Sequence, residues 1–374
     1  MKTSTKTRLT AWIALAPLAL AAAACGDGVV ADPADKTGTT ATAQDLAFSV
    51  FAPEGSSLSQ TLKSWADSVT EATDGAITFT FHWNAALLAA DDTLQGTGDG
   101  RADIGFVGAL YYESQLPFTS ITGVPYLAPN AKAAMLSLRD MYESSSEMKA
   151  EYARNNVVPL FFLPARDALL GAKDKPISSI GDLKGRSIRA AGSFSVTLAE
   201  VGANPVSIVF NELYESLQRG VVDSYSGILL DSIEVAALYE VAPYVANPRQ
   251  GLLSTYPVSI NADTWDGLSE DVKKIMQDKA ADAIDAYFGF EAAAYASACD
   301  TIAAAGGTVS VWGDTERQAW ADVLGDDLLQ AWRERVGGGD AATAFERAYV
   351  DAMSAYDQEF GLPTDGVAEC AARF

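Results

Sequence analysis

Strand patterns and helix patterns alternate along most of this chain, and the alternation limits the folds that it can adopt. Residues 47–52 and 77–81 have the composition of strands, and Leu58, Leu62 and Trp65 between them recur at helical spacing. The same alternation resumes further along the chain. Such a pattern is typical of helices packed on a mixed, largely parallel sheet, so we predict an α/β fold.

One helical segment is much longer than the others. Residues from about 270 to 305 are rich in alanine and contain few helix breakers. A helix of about 35 residues spans roughly 50 Å at 1.5 Å per residue, which is more than one small domain needs. Because 374 residues are enough for two domains of ordinary size, we predict that this helix braces both of them.

The balance of charge excludes some classes of function. The chain has a formal net charge of −23 and one histidine. Because an acidic chain repels phosphate backbones, nucleic acid is not an expected partner. A histidine-dependent catalytic or metal site would have to use His82, which follows a predicted strand beside aromatic residues and is interpreted as structural. We therefore expect no metal and no cofactor.

The N-terminus carries the pattern of an exported protein. Positively charged residues precede an apolar run that ends at Ala24, which is typical of a signal peptide over residues 1–24. The junction with Cys25 resembles a bacterial lipobox, in which the cysteine is lipidated, and ordinary cleavage near Ala24 is the alternative. Residues 25–45 are predicted to be the lipidated cysteine and a flexible tether. The predicted location is the outer face of the cell membrane.

Two more cysteines, Cys299 and Cys370, would then lie in a compartment where disulfides persist. We predict them as a possible disulfide that joins the C-terminal tail to the long helix. Neither cysteine belongs to a CxxC pattern or lies near His82 in the sequence, so a metal site is not expected there.

The most informative motifs lie in the middle of the chain. Asp182 begins the run DLKGRSIR, Gly202 begins GANPV, and Asn211 begins NELYESLQRGVVD. Earlier and later motifs are DGRADIG from Asp99 and NADTWDGL from Asn261. In their order and spacing, these motifs resemble the solute-binding proteins of TRAP (tripartite ATP-independent periplasmic) transporters.

The resemblance covers roughly residues 46–335. It implies a two-lobed, periplasmic-binding-protein-like fold of type II-like form, with mixed sheets flanked by helices and a long brace helix. On this basis, lobe I is expected to comprise residues 46–165 and 252–300. Lobe II is expected to comprise residues 166–251 and 301–374, with an organic anion bound in the cleft.

The resemblance also implies which residues bind the anion. The carboxylate-binding arginine of the family falls on Arg189, and a guanidinium suits this role because its planar donors can grip a carboxylate in bidentate fashion. An ordinary surface arginine at a strand end is the alternative. A second arginine of the family falls on Arg166, for which a hinge ion pair is the alternative.

Departures from the family pattern indicate the nature of the ligand. Phe51 and Gly108 stand where relatives that bind sialic acid place Asn and Glu, which suggests a less polar pocket. The other residues expected to line this pocket are Phe210, Tyr225, Gly227 and Tyr111. We predict a monocarboxylate with an apolar or aromatic body, ahead of a sugar acid or a small dicarboxylate. The alternative is that the aromatic residues belong to the cores of the lobes.

Together, these features predict an extracytoplasmic solute-binding protein and no enzyme. It would capture an organic carboxylate between its lobes and deliver it to the membrane permease subunits of a TRAP-type secondary transporter. A binding lipoprotein that serves an ATP-driven transporter or a sensor kinase is the alternative. A secreted enzyme acting on carboxylates is a third hypothesis, which would need a general base and a nucleophile at the cleft.

Overall fold

The computed structural model describes residues 42–166, 168–361 and 365–374. Within this part of the chain, helices flank two mixed β-sheets, which confirms the predicted α/β fold. The predicted signal peptide, Cys25 and the tether up to residue 41 lie outside the described residues. The predicted end of the tether at residue 45 is wrong, because Gln44 and Asp45 already belong to a strand that runs to Ser49 and pairs with Ile77 and Thr78. Of the helices that are described, none has the length and apolar character needed to cross a membrane.

The first sheet forms the centre of lobe I. Its strands are β1 (Gln44–Ser49), β2 (Ile77–His82), β3 (Ile104–Phe106), β4 (Val157–Ala165) and β10 (Ser254–Asn261). Their order across the sheet is β2-β1-β3-β10-β4. β1 runs parallel to β2 and β3, whereas β10 is antiparallel to both β3 and β4.

The second sheet forms the centre of lobe II. Its strands are β5 (Leu169–Ala172), β6 (Ser187–Ala190), β7 (Asn204–Ser207), β8 (Ser224–Ile228), β9 (Tyr244–Asn247) and β11 (Thr308–Val311). Their order is β11-β9-β5-β8-β6-β7. β6 is parallel to β7 and β8, and β5 is antiparallel to β8 and β9.

The helices connect and cover these sheets. They are α1 (Ser57–Ala72), α2 (Thr93–Gly98), α3 (Ala131–Ser144), α4 (Ser146–Arg154), α5 (Phe194–Glu200), α6 (Leu213–Gln218), α7 (Leu230–Val235), α8 (Leu238–Val241), α9 (Ala262–Gly267), α10 (Glu270–Ala304), α11 (Asp314–Leu324), α12 (Asp327–Arg335), α13 (Gly339–Phe360) and α14 (Gly366–Ala371). Short 3-10 helices include Ala109–Tyr111, Thr119–Gly123 and Phe210–Glu212.

The chain passes between the lobes at two strand connections, from β4 to β5 and back from β9 to β10. The long helix α10 makes a third link, because it packs on α1 and β4 in lobe I and on α7 and β11 in lobe II. Its 35 residues match the predicted brace helix. Ser269 caps its N-terminus, where Glu270 and Asp271 also favour the positive end of the helix dipole.

The helix α1 shows how the sequence pattern becomes packing. Ser56 caps the helix by accepting a hydrogen bond from the backbone N–H of Ser59. The predicted apolar face is buried, and the indole N–H of Trp65 donates to the backbone carbonyl of Met276 at 3.3 Å. This contact places α1 directly against α10.

The C-terminal helices differ from the predicted arrangement. Residues 301–374 were all expected in lobe II, but α13 packs against α3 in lobe I. The indole N–H of Trp332 on α12 donates to the carbonyl of Pro117 at 2.9 Å, which also joins α12 to lobe I. The prediction that all of residues 301–374 belong to lobe II is therefore wrong for α12 and α13. The other lobe boundaries stay a prediction.

A disulfide and a buried ion pair connect α10 to other parts of the chain. Cys299 on α10 and Cys370 on α14 form a disulfide, so the end of the chain is tied to lobe II. Arg166, which follows β4, forms a buried ion pair with Glu291 on α10, with 2.9 Å between Nη1 and Oε2. Glu291 also accepts a hydrogen bond from the hydroxyl of Tyr287 at 2.6 Å. The hinge ion pair raised as the alternative for Arg166 is thus present.

We expect the disulfide to stabilise the protein because it closes a long loop, with a sequence separation of 71 residues. Replacing both cysteines by serine should lower the free energy of unfolding by about 2–4 kcal/mol, measured by urea denaturation. Dithiothreitol should destabilise the wild type by a similar amount and leave the double variant unchanged. Equal stability of the two proteins without reductant would contradict the prediction.

We expect the Arg166–Glu291 pair to be costly to break from one side. Either Arg166→Met or Glu291→Leu takes the oppositely charged partner of this ion pair away from a buried charge, which typically costs about 3–5 kcal/mol. The double variant removes both charges and should therefore lose less stability than the sum of the single variants. Urea denaturation of all four proteins measures this coupling, and strictly additive losses would show that the pair does not interact.

Candidate functional site

Arg189 lies between the two lobes, on the short strand β6. Its side chain is 3 % exposed, and its donors are held on two sides by backbone carbonyls of lobe II. Nε donates to the carbonyl of Ile208 at 2.8 Å, and Nη1 donates to the carbonyl of Ser226 at 3.0 Å. From lobe I, the hydroxyl of Tyr111 accepts a hydrogen bond from Nη2 at 3.1 Å.

The charge of Arg189 is not matched by a carboxylate. In residues 42–166, 168–361 and 365–374, no acidic group lies within ion-pair distance of this guanidinium. A guanidinium has five N–H donors, and the three hydrogen bonds above leave two of them for another acceptor. Because an unpaired buried charge is unfavourable, the site is suited to an anion.

A cavity surrounds this arginine between the lobes. Five of the predicted site residues line it: Arg189, Phe51, Tyr111, Phe210 and Gly227. Other lining residues were not predicted from the sequence, including Leu58, Leu110, Ile228, Leu229, Ser232 and Tyr256. Most of the lining is aliphatic or aromatic, so the surroundings of the cation are largely apolar.

Aromatic rings form the wall on the side of lobe I. The ring of Phe51 lies 6.0 Å from that of Tyr256 and 6.5 Å from that of Tyr111, the latter at 89°. Gly108 lies behind this wall, where an added Cβ would come within 3.0 Å of the Tyr111 ring and 3.4 Å of the Phe51 ring. Gly108 therefore contributes by leaving room for the rings rather than by contacting the cavity.

Gly227 forms part of the wall on the side of lobe II. Its backbone has φ +72°, a conformation that side chains disfavour. A Cβ here would also lie 2.6 Å from Cδ2 of Leu253, on the segment that returns to lobe I. The glycine thus permits close approach of the two lobes next to Arg189.

Two predicted ligand contacts are placed elsewhere. Tyr225 is fully buried in the core of lobe II, where its ring fills the space that the missing side chain of Gly171 leaves. Burial raises the pKa of the Tyr225 phenol. Arg166 does not line the cavity around Arg189, because it points to Glu291 at the hinge. Tyr225 therefore fits the alternative raised above, in which the aromatic residue belongs to the core of its lobe.

Arg166 lines a different and larger cavity of about 460 Å³ beside α10. Its positive side chains have acidic partners: Arg166 pairs with Glu291, Lys132 with Asp285 and Arg373 with Asp300. In the smaller cavity, Arg189 has no carboxylate partner among the described residues, so we regard this cavity as the candidate binding site.

The lobes are closed over the cavity around Arg189. The centres of water-sized molecules reach only about 30 Å³ of it, against about 460 Å³ in the cavity beside α10. Besides the bond from Arg189 to Tyr111, the backbone N–H of Ser193 donates to Glu113 across the lobes at 2.7 Å. Since ligand sites are commonly about 300–1,000 Å³ in volume, the lobes must part to admit an organic acid.

A further interlobe contact lies at the start of α1. The carboxylate of Asp231, on α7, accepts hydrogen bonds from the backbone N–H and the hydroxyl of Ser57 at 2.7 and 2.6 Å. His82 lies at the end of β2, outside this site. In the described part of the chain, no three acidic, cysteine or histidine residues are grouped to hold a metal ion.

Known proteins share both the sequence and the fold. The family model of the bacterial extracellular solute-binding proteins of family 7, DctP, matches residues 48–334. The ectoine-binding periplasmic protein TeaA of Halomonas elongata is 28% identical over 257 residues, which are 67% of this chain and 70% of TeaA. The C4-dicarboxylate-binding periplasmic protein DctP of Vibrio cholerae is 26% identical, over 66% of this chain and 77% of that protein.

Solved structures of the same fold have organic acids of several kinds bound, among them galactonate, D-glucuronate, benzoate and orotic acid. A TRAP solute-binding protein of Rhodoferax ferrireducens in complex with benzoate has a TM-score of 0.75 at 19% identity, and covers 84% of this chain and 99% of its own. A protein of Desulfovibrio salexigens with orotic acid has a TM-score of 0.74 at 23% identity, over 83% and 99%. The family match spans most of this chain, which therefore belongs to family 7 of the bacterial extracellular solute-binding proteins, the binding proteins of TRAP transporters.

Proposed function

We propose that this protein binds an organic monocarboxylate in the cavity between its lobes and delivers it to the membrane subunits of a TRAP transporter. The observation that carries the proposal is the buried guanidinium of Arg189, which faces the cavity with no acidic partner among the described residues. Charge-assisted hydrogen bonds to the two remaining N–H groups would hold the carboxylate. The family of this chain consists of binding proteins, and we propose no covalent step.

The lining of the cavity supports an apolar body for the ligand. Phe51, Phe210, Leu110 and Leu229 offer no polar atoms from their side chains, and Arg189 is the one charged group that lines the described cavity. A sugar acid would bury several hydroxyl groups here without enough partners, which is unfavourable. A second carboxylate would meet no second cation. The benzoate bound by the relative from Rhodoferax ferrireducens fits the same requirements.

Closure of the lobes would complete the site. Tyr111 comes from lobe I and Arg189 from lobe II, so both can contact one ligand only when the lobes meet. The closed form would then be the one that the permease recognises, as in other two-lobed proteins that close around a ligand. Opening is needed first, because the empty cavity has too little room for an organic acid, and lobes that close around the ligand would stay further apart than they are here.

We also propose that the protein is exported and held at the membrane by lipidated Cys25. The apolar N-terminal run and its junction with Cys25 support this part of the proposal. The polar residues after Cys25 would let the folded part extend from the membrane surface.

Arg189→Ala should abolish the stabilisation of the protein by its ligand. Isothermal calorimetry and thermal unfolding with benzoate, galactonate and succinate should show the largest effect for benzoate. A ligand at a hundredfold excess over Kd stabilises the wild type by about 2.7 kcal/mol. Loss of the buried arginine should weaken binding by about 2–5 kcal/mol.

Arg249→Ala is the matched control, because Arg249 pairs with the exposed Asp314 away from the cavity. Arg189→Lys keeps the charge but loses the planar fork, and should bind with intermediate affinity. Full stabilisation of Arg189→Ala would show that the anion binds elsewhere. Stabilisation by galactonate alone would refute the apolar ligand.

Cys25→Ser should release the protein from the membrane. Lipidation of Cys25 would provide hydrophobic anchoring, which serine at this position cannot acquire. The wild type should fractionate with membranes and partition into detergent, and the variant should be recovered outside the cytoplasm in the aqueous phase. Aqueous partitioning of both proteins would contradict lipidation.

A further inference from the structure

Two residues with hydroxyl groups line the cavity besides Tyr111. One is Tyr256 on β10, whose ring packs against Phe51 and Phe106 with ring centroids 6.0 and 4.8 Å apart. The side chain is buried, yet its hydroxyl has no hydrogen-bond partner among the described residues. Buried tyrosine hydroxyls usually have a partner, so this one is available to a ligand.

Tyr225 provides an instructive contrast. Its hydroxyl also lacks a partner, but it is enclosed in the core of lobe II and does not reach the cavity. The hydroxyl of Tyr256 is not among the enclosed polar atoms, and the residue lines the cavity. Only Tyr256 can therefore exchange its missing hydrogen bond for one to a bound molecule.

The second hydroxyl belongs to Ser232, in the first turn of α7. Its Oγ donates to Oδ1 of Asp231 at 3.3 Å, so the lone pairs of the oxygen are left to accept from a ligand. Asp231 is completely buried. It has no lysine, arginine or histidine within ion-pair distance in the described part of the chain.

Asp231 is stabilised instead by hydrogen bonds from Ser57 and by the positive end of the 16-residue helix α1. Its negative charge therefore lies within hydrogen-bond distance of the Ser232 hydroxyl. Burial and the neighbouring Tyr111 raise the pKa of the Tyr256 phenol, whereas Arg189 lowers it and Asp231 raises it. The phenol thus lies within electrostatic reach of both the cation and the anion.

We propose that Tyr256 and Ser232, backed by Asp231, form a second polar end of the cavity that selects carboxylates with one neutral hydrogen-bond donor on an apolar body. This inference rests on the proposed function, because Arg189 must hold the carboxylate. A hydroxyl or neutral amino group would satisfy Tyr256 and Ser232, whereas an unsubstituted ligand leaves Tyr256 without a partner. A second carboxylate would be repelled by Asp231.

Calorimetry with matched ligands tests the second polar end. Each pair consists of an unsubstituted acid, benzoate or phenylacetate, and its 3-hydroxy or 4-hydroxy derivative. Isophthalate and terephthalate serve as dicarboxylates. For at least one pair, the wild type should bind the hydroxylated acid roughly two- to tenfold more tightly, as one neutral hydrogen bond allows. The dicarboxylates should bind more weakly than benzoate.

The affinity ratio is that of the hydroxylated acid to the unsubstituted acid in the pair that the wild type distinguishes best. Tyr256→Phe should bring this ratio close to one, and Ser232→Ala should lower it by a smaller amount. Asp231→Asn keeps a hydrogen-bond acceptor but removes the negative charge. It should therefore reduce the difference in affinity between benzoate and the dicarboxylates. Tyr225→Phe removes a hydroxyl outside the cavity and should keep the wild-type ratio. Thermal unfolding without ligand shows whether each variant is folded.

The outcomes separate this inference from the proposed function. If aromatic acids bind in an Arg189-dependent way but hydroxylated and unsubstituted acids bind equally, the second polar end is wrong and the proposed function stands. An unchanged ratio in both Tyr256→Phe and Ser232→Ala overturns the inference in the same way. If none of the aromatic acids binds, the proposed ligand class fails, and the inference fails with it.

Discussion

The unmatched charge of Arg189 is the feature on which the cleft depends. Carbonyls of Ile208 and Ser226 fix the guanidinium from lobe II, and Tyr111 meets it from lobe I. The apolar rings around it exclude water and so make the missing counter-charge more costly. An anionic ligand at Arg189 would remove this cost and at the same time contact both lobes, so binding and closure would share one driving force.

A binding site for anions in a strongly acidic protein is physically consistent. The formal net charge of −23 is spread over the whole chain, and charges more than about 8–10 Å apart in physiological salt are largely screened. A buried cation is screened much less. The affinity for an anion is therefore decided by groups within the closed cavity, while the surface charge governs solubility and approach.

The sequence predicted the elements that depend on local pattern, including the long helix and the arginine within DLKGRSIR. It missed Tyr256 because this residue reaches the cleft only when β10 returns between β3 and β4. Tyr225 was predicted to line the cavity. Its ring lies in the core of lobe II instead, because Gly171 on the neighbouring strand leaves space for it there. Likewise, the pairing of Arg166 with Glu291 and the packing of α13 depend on contacts between distant segments, which periodicity does not reveal.

The small volume left in the closed cavity has a kinetic consequence. A ligand can associate only with molecules whose lobes have parted, so the measured affinity is the intrinsic affinity reduced by the fraction of open molecules. At high ligand concentration, the rate of capture would approach the rate of opening and become independent of concentration. Residues that join the lobes, such as Ser57 with Asp231, would then set the rate of uptake without contacting the solute.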